Sequence, residues 1–301
     1  MTTYHASGKL LITGEYVVLR GAKALSLPTR PGQSLSVDEG KQGLEWTAKT
    51  PDGSIWFHVI YSADGDILQT DSKESAGTLR KILYEAFMIG GIFPFGGFSV
   101  TTQLEFDPSW GLGSSSTLIV LIAKWMKVDP MRLFFRTLEG SGYDVACGWE
   151  KKPILYRLSK DDRPEWETIH WQPLNPSDWH FVYLGEKKKS AVEVLSFREI
   201  VVSDEELHHF SSLTEDLIHA KTAQQYPDIL NEHEDRLSRI LQRKRVKEER
   251  FPDFEGCIKS LGAWGGDFIL ALHQDPLYIR NYFHSKNLSI FKSLREFILG
   301  L

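Results

Sequence analysis

Between Gly97 and Met126 the spacing of apolar residues changes across one short loop, and this step constrains the fold more than any other stretch of the chain. In GFSVTTQLEF, Phe98, Val100, Thr102, Leu104 and Phe106 alternate with Ser99, Thr101, Gln103 and Glu105, which predicts a strand with one wet face. After DPSWGLG, Leu118, Leu121, Ile122, Trp125 and Met126 recur at three- and four-residue spacing, so a helix begins near Ser114 with serines at its cap and first turn. A strand, Pro108, the glycines Gly111 and Gly113, four consecutive hydroxyls and an apolar helix therefore follow in direct succession.

The flanking segments supply the layers. Residues 9 to 60 read as short strands (KLLIT, YVVL, AKALSL, GLEWTAKT and SIWFHVI, the last two around Pro51-Asp52-Gly53). Residues 74 to 89 place Leu79, Ile82, Leu83, Ala86 and Phe87 at helical spacing. From Ser190 to about Lys259 the pattern is mostly helical, and GDFILAL reads as a strand. Lys187-Lys188-Lys189 and QRKRVKEER read as solvated faces, the first also placed to attract an anionic substrate. Strands and helices interleave without regular βαβ alternation, which predicts an α+β fold. A Pro-, Asp- and Trp-rich stretch around residues 155 to 175 divides the chain into domains 1–165 and 166–301.

Charge and cysteine content exclude some classes of function. A net charge of −5 argues against a nucleic-acid partner. Cys147 and Cys257 are too far apart in sequence to form a zinc motif and read as free thiols of a reducing, cytoplasmic compartment. The N-terminus lacks the features of a signal peptide, and the apolar run Leu118 to Ala123 is too short to span a bilayer, so no membrane association is expected. A monomer or a homodimer fits equally.

The loop has a chemical reading. The first turn of a helix leaves N–H groups unpaired at the positive end of the helix dipole and so holds anions. Glycines let backbone approach phosphate oxygens, and hydroxyls bind oxygens or magnesium. A plain helix cap explains one glycine and one serine, but not two glycines with Ser114, Ser115, Ser116 and Thr117. A Walker A loop needs Gly-Lys-Ser/Thr, whereas serine follows Gly113; Gly111-x-Gly113-x-x-Ser116 matches a dinucleotide fingerprint only in part. In KSLGAWGGDFILAL, Gly262, Gly265 and Gly266 suit either a helix-to-strand turn or a second backbone segment approaching the same ligand. His208, His209, His219 and His233 lack metal-site spacing and read as surface or capping histidines.

Three segments in order, SGKLLITGEYVVLRGAKALSLP, DPSWGLGSSSTLIVL and KSLGAWGGDFILAL, resemble the three motifs of the GHMP kinase superfamily. Within it, Tyr16 after Gly14-Glu15, GSGYDVACG and Gly265-Gly266-Asp267 lean toward phosphomevalonate and mevalonate kinases. The resemblance implies an N-terminal domain like that of ribosomal protein S5 and a ferredoxin-like C-terminal domain. It also implies ATP and Mg2+ as cofactors and a small-molecule acceptor of the mevalonate pathway, phosphomevalonate or mevalonate, or another small metabolite. Gly111, Leu112, Gly113, Ser114, Ser115 and Ser116 would cradle the ATP phosphates, with Ser115 on magnesium. Asp144 would accept or orient the acceptor hydroxyl proton, and Lys9 would pair with Asp144 and stabilise the developing charge. Glu15, Tyr16, Ser141, Gly142, Gly262, Gly265 and Gly266 would shape the acceptor side, with Glu15 holding Lys9 or the strand turn.

The chain departs from the family in three places. The helix DPMRLFFRTLEG carries Leu133 to Phe135 where mevalonate kinases place a magnesium-binding glutamate, leaving Glu139 as the nearby acid, or else Ser115, phosphates and water to hold the ion. Trp264 replaces a family glycine, where its ring would narrow the nucleotide mouth or stack on the base, and Ser7 replaces proline. The competing class is a catalytically silent nucleotide- or metabolite-binding regulator on the same fold.

Overall fold

The computed structural model describes residues 1–159, 161, 163–186 and 190–301. The Lys187-Lys188-Lys189 run lies outside them. The chain forms two compact units, one of residues 1–8, 31–108 and 112–151, the other of 9–30, 109–111 and 152–301. Strands β1 (Thr2–Thr13) and β2 (Ala24–Glu39) run through both.

The first unit is a mixed sheet with helices. The hairpin of β3 (Gly43–Lys49) and β4 (Ile55–Tyr61) turns at Pro51-Asp52-Gly53 as predicted, Gly53 taking φ 85°. β5 (Ile67–Thr70), α1 (Lys73–Met88) and β6 (Gly96–Leu104) follow. Ser72 caps α1 by accepting from the Ser75 amide, and Ala76, Leu79, Ile82, Leu83 and Ala86 are buried, the face expected from the spacing. The strands order as β5-β4-β3-β6-β2; β3 and β6 are parallel, with Trp46 opposite Val100, and the other pairs antiparallel. Val100, Thr102, Leu104 and Phe106 are buried, so the alternation marked the inward face. α2 (Ser114–Met126) packs Trp125 against Trp46 and Phe98, with ring centroids 6.3 and 5.5 Å away. α3 (Pro130–Thr137) and α4 (Tyr143–Glu150) pack on α2.

In the second unit the start of β2 pairs with β7 (Ile154–Leu158), which pairs with β8 (Pro164–Thr168). β9 (Trp179–Tyr183) leads into α5 (Ser190–Phe197), α6 (Asp204–His219), α7 (Gln225–Leu241) and α8 (Val246–Arg250). The hairpin of β10 (Cys257–Ser260) and β11 (Phe268–Leu272), then α9 (Pro276–Ser285), β12 (Phe291–Ser293) and α10 (Leu294–Phe297), complete the unit. The antiparallel order β10-β11-β9-β12, with helices after β9 and β11, is the split βαβ arrangement of a ferredoxin-like fold. The α+β expectation holds.

One element differs from the sequence reading. YVVL, expected as a strand, is a 3-10 turn over Val17–Arg20. Gly14 at φ 89° and Gly21 at φ 93° bracket it, and these positive dihedrals stop a strand at either end, whatever the β propensity of two valines. Among the described residues no helix is long and apolar enough to cross a membrane.

Candidate active site

In the first unit the site is built on two helix N-termini. Gly113, at φ 85° and ψ 48°, stands at the N-cap of α2, where it offers no side chain to the amides of the first turn. Ser115 is exposed there and Ser114 half-buried, whereas Leu112 is fully buried and brings only its backbone to the loop. Thr117 anchors the turn by donating to Gln33 Oε1 at 2.6 Å. The Ser116 hydroxyl is buried and donates to the Asp144 carboxylate.

Asp144 lies in the first turn of α4, after Gly142 at φ 84°. Its Oδ1 accepts from the Val145 amide at 3.0 Å. Ser141 is 4% exposed, and a Cβ at Gly142 would lie 2.6 Å from Met131 Cε, so glycine sets how closely the aspartate loop packs on α3. The uncapped end of α2 and the carboxylate at the end of α4 are thus joined through Ser116, a link absent from the sequence reading. Together they offer anion-binding amides beside a half-buried carboxylate and an exposed hydroxyl.

α3 buries Leu133 and Phe134 and ends at Thr137, so Glu139 lies beyond the helix, exposed in the loop. Among the described residues no three His, Cys, Asp or Glu side chains group as a metal site. The oxygen set at the α2 terminus still fits magnesium, which commonly takes one or two protein oxygens and completes its shell with phosphates and water.

In the second unit Lys9, on β1, donates to the Gly111 carbonyl at 3.2 Å. Gly111, at φ 67°, lies against Asp267: a Cβ there would come within 2.1 Å of Oδ2. Tyr183 donates to Ser109, and the Trp110 ring packs on Phe268 and Phe297 at 5.7 and 6.3 Å. Residues 109–111 therefore seat on β9, the start of β11 and α10, with Gly111 against Asp267 at the end of the β10–β11 loop. Gly262 and Gly265 take φ 70° and 71° there, and Gly266 donates to the Ala263 carbonyl.

The Gly14-Glu15-Tyr16 turn is buried in this unit. Tyr16 takes φ 62° and ψ −51°, a strained conformation for a bulky residue. Its hydroxyl accepts from the Trp264 amide at 2.8 Å and donates to Glu193 at 3.0 Å, and its ring lies 5.3 Å from Phe197. Burial raises the Tyr16 phenol above its ordinary range. Trp264 is largely buried: the residue is 6% exposed, and Nε1 donates to the Lys244 carbonyl at 2.9 Å. The indole fills a core with Tyr16, Val17, Phe197, Phe210 and Leu237. A cavity of about 640 Å³ opens beside this core, lined among others by Glu193, Arg243, Lys244, Arg250, Trp264 and Gly265.

Sequence reasoning missed Lys259. This lysine is 0% exposed, lies 2.7 Å from Glu15 and 3.5 Å from Glu234, and is the cation that Glu15 holds. His233, expected at the surface or as a cap, is also fully buried and accepts the Gly14 amide on Nε2 at 3.0 Å. The helical charge pattern hid His233, because it shows sign but not which face is turned inward, and nothing beside Lys259 on β10 marks it as buried. His208 and His219 bond the carbonyls one turn back and His209 bonds Glu232, as surface histidines do. In QRKRVKEER, Arg245 is not solvated but is held by Asp235 and Asn231.

No protein-family model matches the chain, and no curated protein matches it in sequence. Solved structures match over nearly all of it. A Streptococcus pneumoniae phosphomevalonate kinase in complex with phosphomevalonate and AMPPNP is 18% identical at a TM-score of 0.70, with 98% of this chain and 100% of that one covered. The Methanococcus jannaschii mevalonate kinase is 13% identical at 0.70, covering 100% and 98%. A Lactococcus lactis galactokinase complexed with galactose is 13% identical at 0.72, covering 99% and 93%. The chain has the two-domain fold of the GHMP kinases, as its motifs suggested.

Proposed function

We propose that this protein is an ATP-dependent kinase that transfers the γ-phosphoryl group to the hydroxyl or phosphate of a mevalonate-pathway acceptor, phosphomevalonate or mevalonate. The observation that carries this reading is the joint of the first unit, where uncapped amides at the start of α2 stand beside Asp144 through Ser116. Phosphoryl transfer asks a protein mainly for positioning and charge stabilisation. The amides of Ser114, Ser115 and Ser116, opened by Gly113, hold phosphate oxygens. Asp144, held at a fixed angle by Ser116 and the Val145 amide, orients the acceptor hydroxyl and takes its proton. Lys9 contributes positive charge against the charge that develops on transfer. Ser115 and the phosphates hold magnesium, which when bound neutralises phosphate charge. An acidic acceptor is supported by Lys244 in the cavity beside Trp264 and Gly265, whose lining also carries Glu249 and the ion pairs Arg243–Glu193 and Arg250–Glu186.

The test is ADP release from ATP and magnesium with mevalonate, phosphomevalonate, homoserine and galactose as acceptors. Turnover with an acidic pathway acceptor, lowered about 10²-fold or more in Asp144→Asn with nucleotide binding retained, is expected. An Asp144→Asn variant with full turnover removes this residue from the reaction. The second reading, a silent nucleotide-binding regulator, is favoured by the burial of Leu133 and Phe134 where a magnesium-binding carboxylate would stand. It predicts nucleotide binding with no turnover on any acceptor.

A further inference from the structure

The cluster around Lys259 holds more charge than its burial allows. Glu15, His233, Glu234 and Lys259 are between 0 and 2% exposed. With His233 neutral and the nearby Arg245 charge balanced by its ion pair with Asp235, one ammonium and two carboxylates leave a net charge of −1, a costly state in a dry interior. Three polar atoms of the cluster, Glu15 Oε2, His233 Nδ1 and Glu234 Oε1, are buried without a hydrogen-bond partner.

The geometry indicates what is missing. The Gly14 amide donates to His233 Nε2 at 3.0 Å, so Nε2 carries a lone pair and the ring proton sits on Nδ1. Glu15 Oε2 faces the same Nε2 at 3.5 Å. A carboxylate charge would then face the electron-rich nitrogen at 3.5 Å, a repulsion that neutralising the carboxyl removes. An ionised Glu15 beside a protonated His233 would instead set two donors, Nε2–H and the Gly14 N–H, against each other. Nor does the environment favour that imidazolium: burial and Lys259 hold the His233 ring far below its usual range.

We propose that Glu15 and Glu234 share one proton around Lys259, which makes the buried cluster neutral and ties the set of the Gly14-Glu15-Tyr16 turn to the presence of that proton. The groups facing it are Glu15 from the turn, His233 and Glu234 from α7, Lys259 with the Ser260 hydroxyl and the buried Cys257 thiol from β10, and Arg245, paired with Asp235, from the segment before α8. From α6 the neighbour is the uncharged Phe210 ring, 4.9 Å from His233. Burial raises both carboxyls, Glu15 to about 7. The pair titrates as a unit, so one macroscopic step near neutrality belongs to both residues. This inference does not depend on what the protein transfers.

The direction of the pH effect follows from proton counts. Between 4.5 and about 7 the folded chain holds a proton on Glu15 that the unfolded chain has released, so this contribution to stability is complete below 4.5 and fades as pH rises to 7. His233 acts oppositely: below 6.5 the unfolded chain binds a proton that the folded chain refuses. The two offset each other in the wild type, so Glu15→Gln, which mimics the protonated acid, exposes the first.

The test is urea denaturation of the full chain and of Glu15→Gln at pH 5, 6, 7 and 8. The unfolding constant of the wild type divided by that of Glu15→Gln is expected to rise about tenfold per pH unit up to pH 7, roughly 100-fold in all. A ratio that is flat or falls with pH overturns the proposal. Should Glu15→Gln not fold, the wild type alone decides by carboxyl 13C NMR. One glutamate titrating near pH 7, with the Gly14 amide and Trp264 indole resonances shifting at the same midpoint, supports the proposal; all glutamates titrating below about pH 5.5 overturns it.

Discussion

Tyr16 shows what a single residue does here that its motif position does not reveal. The sequence placed it on the acceptor side, next to a glycine and a glutamate. In the fold it is a clamp: its backbone is strained, and its hydroxyl satisfies the amide of Trp264, 248 residues away. Tyr16→Phe leaves that buried N–H without an acceptor, and Glu193 keeps only Arg243. The variant is expected to lose about 1–3 kcal/mol of unfolding free energy with an unchanged denaturant slope, measured by urea titration. A loss below about 0.5 kcal/mol would mean that water replaces the hydroxyl. Trp264 was legible only as a departure from a family glycine; its purpose depends on Tyr16, Phe197 and the Lys244 carbonyl. Glu15 was likewise read without its partner, since nothing local to Lys259 marks it as buried.

At the scale of elements, periodicity carried most of the information. Strand β6 was visible because it buries one regular face and α2 because its run is apolar, although α2 is buried nearly all round, Ile119 and Val120 included. The Val17–Arg20 turn was not visible, since valines favour a strand and the decisive facts are positive dihedrals on either side. The same reasoning fixes Gly113. At φ 85° it holds a conformation that a β-branched residue adopts only at a cost of about 1–2 kcal/mol or more. Gly113→Val is therefore expected to weaken ATP binding by about tenfold or more in calorimetric titration, because the first-turn amides can no longer keep their set toward phosphate. Unchanged affinity would remove the α2 terminus from nucleotide binding. The acceptor side has its own test. Lys244→Met should raise KM for an acidic acceptor while leaving KM for ATP in place, and an unchanged acceptor KM would exclude the cavity from recognition.

At the scale of the molecule, each compact unit gathers segments from distant parts of the sequence. Residues 9–30 and 109–111 belong with 152–301, and the glycine loop is divided after Gly111. Composition and hydropathy cannot show such grouping, since they read neighbours along the chain, and a division at a single boundary near residue 165 leaves residues 9–30 and 109–111 with the first half. A ligand that binds the native loop should stabilise the whole native state by mass action. At 100 times its dissociation constant, ATP with magnesium is expected to add about 2.7 kcal/mol, seen as a rise of roughly 5 °C or more in the melting temperature. The Asp144→Asn variant should show the same rise if, as proposed, the carboxylate acts on the acceptor rather than on nucleotide affinity, and Gly113→Val should lose most of it. No rise in the wild type would leave the GHMP fold standing but remove the phosphate loop from it. A full rise in Gly113→Val would place the nucleotide elsewhere, and the role of Asp144 would then need an acceptor-side argument of its own.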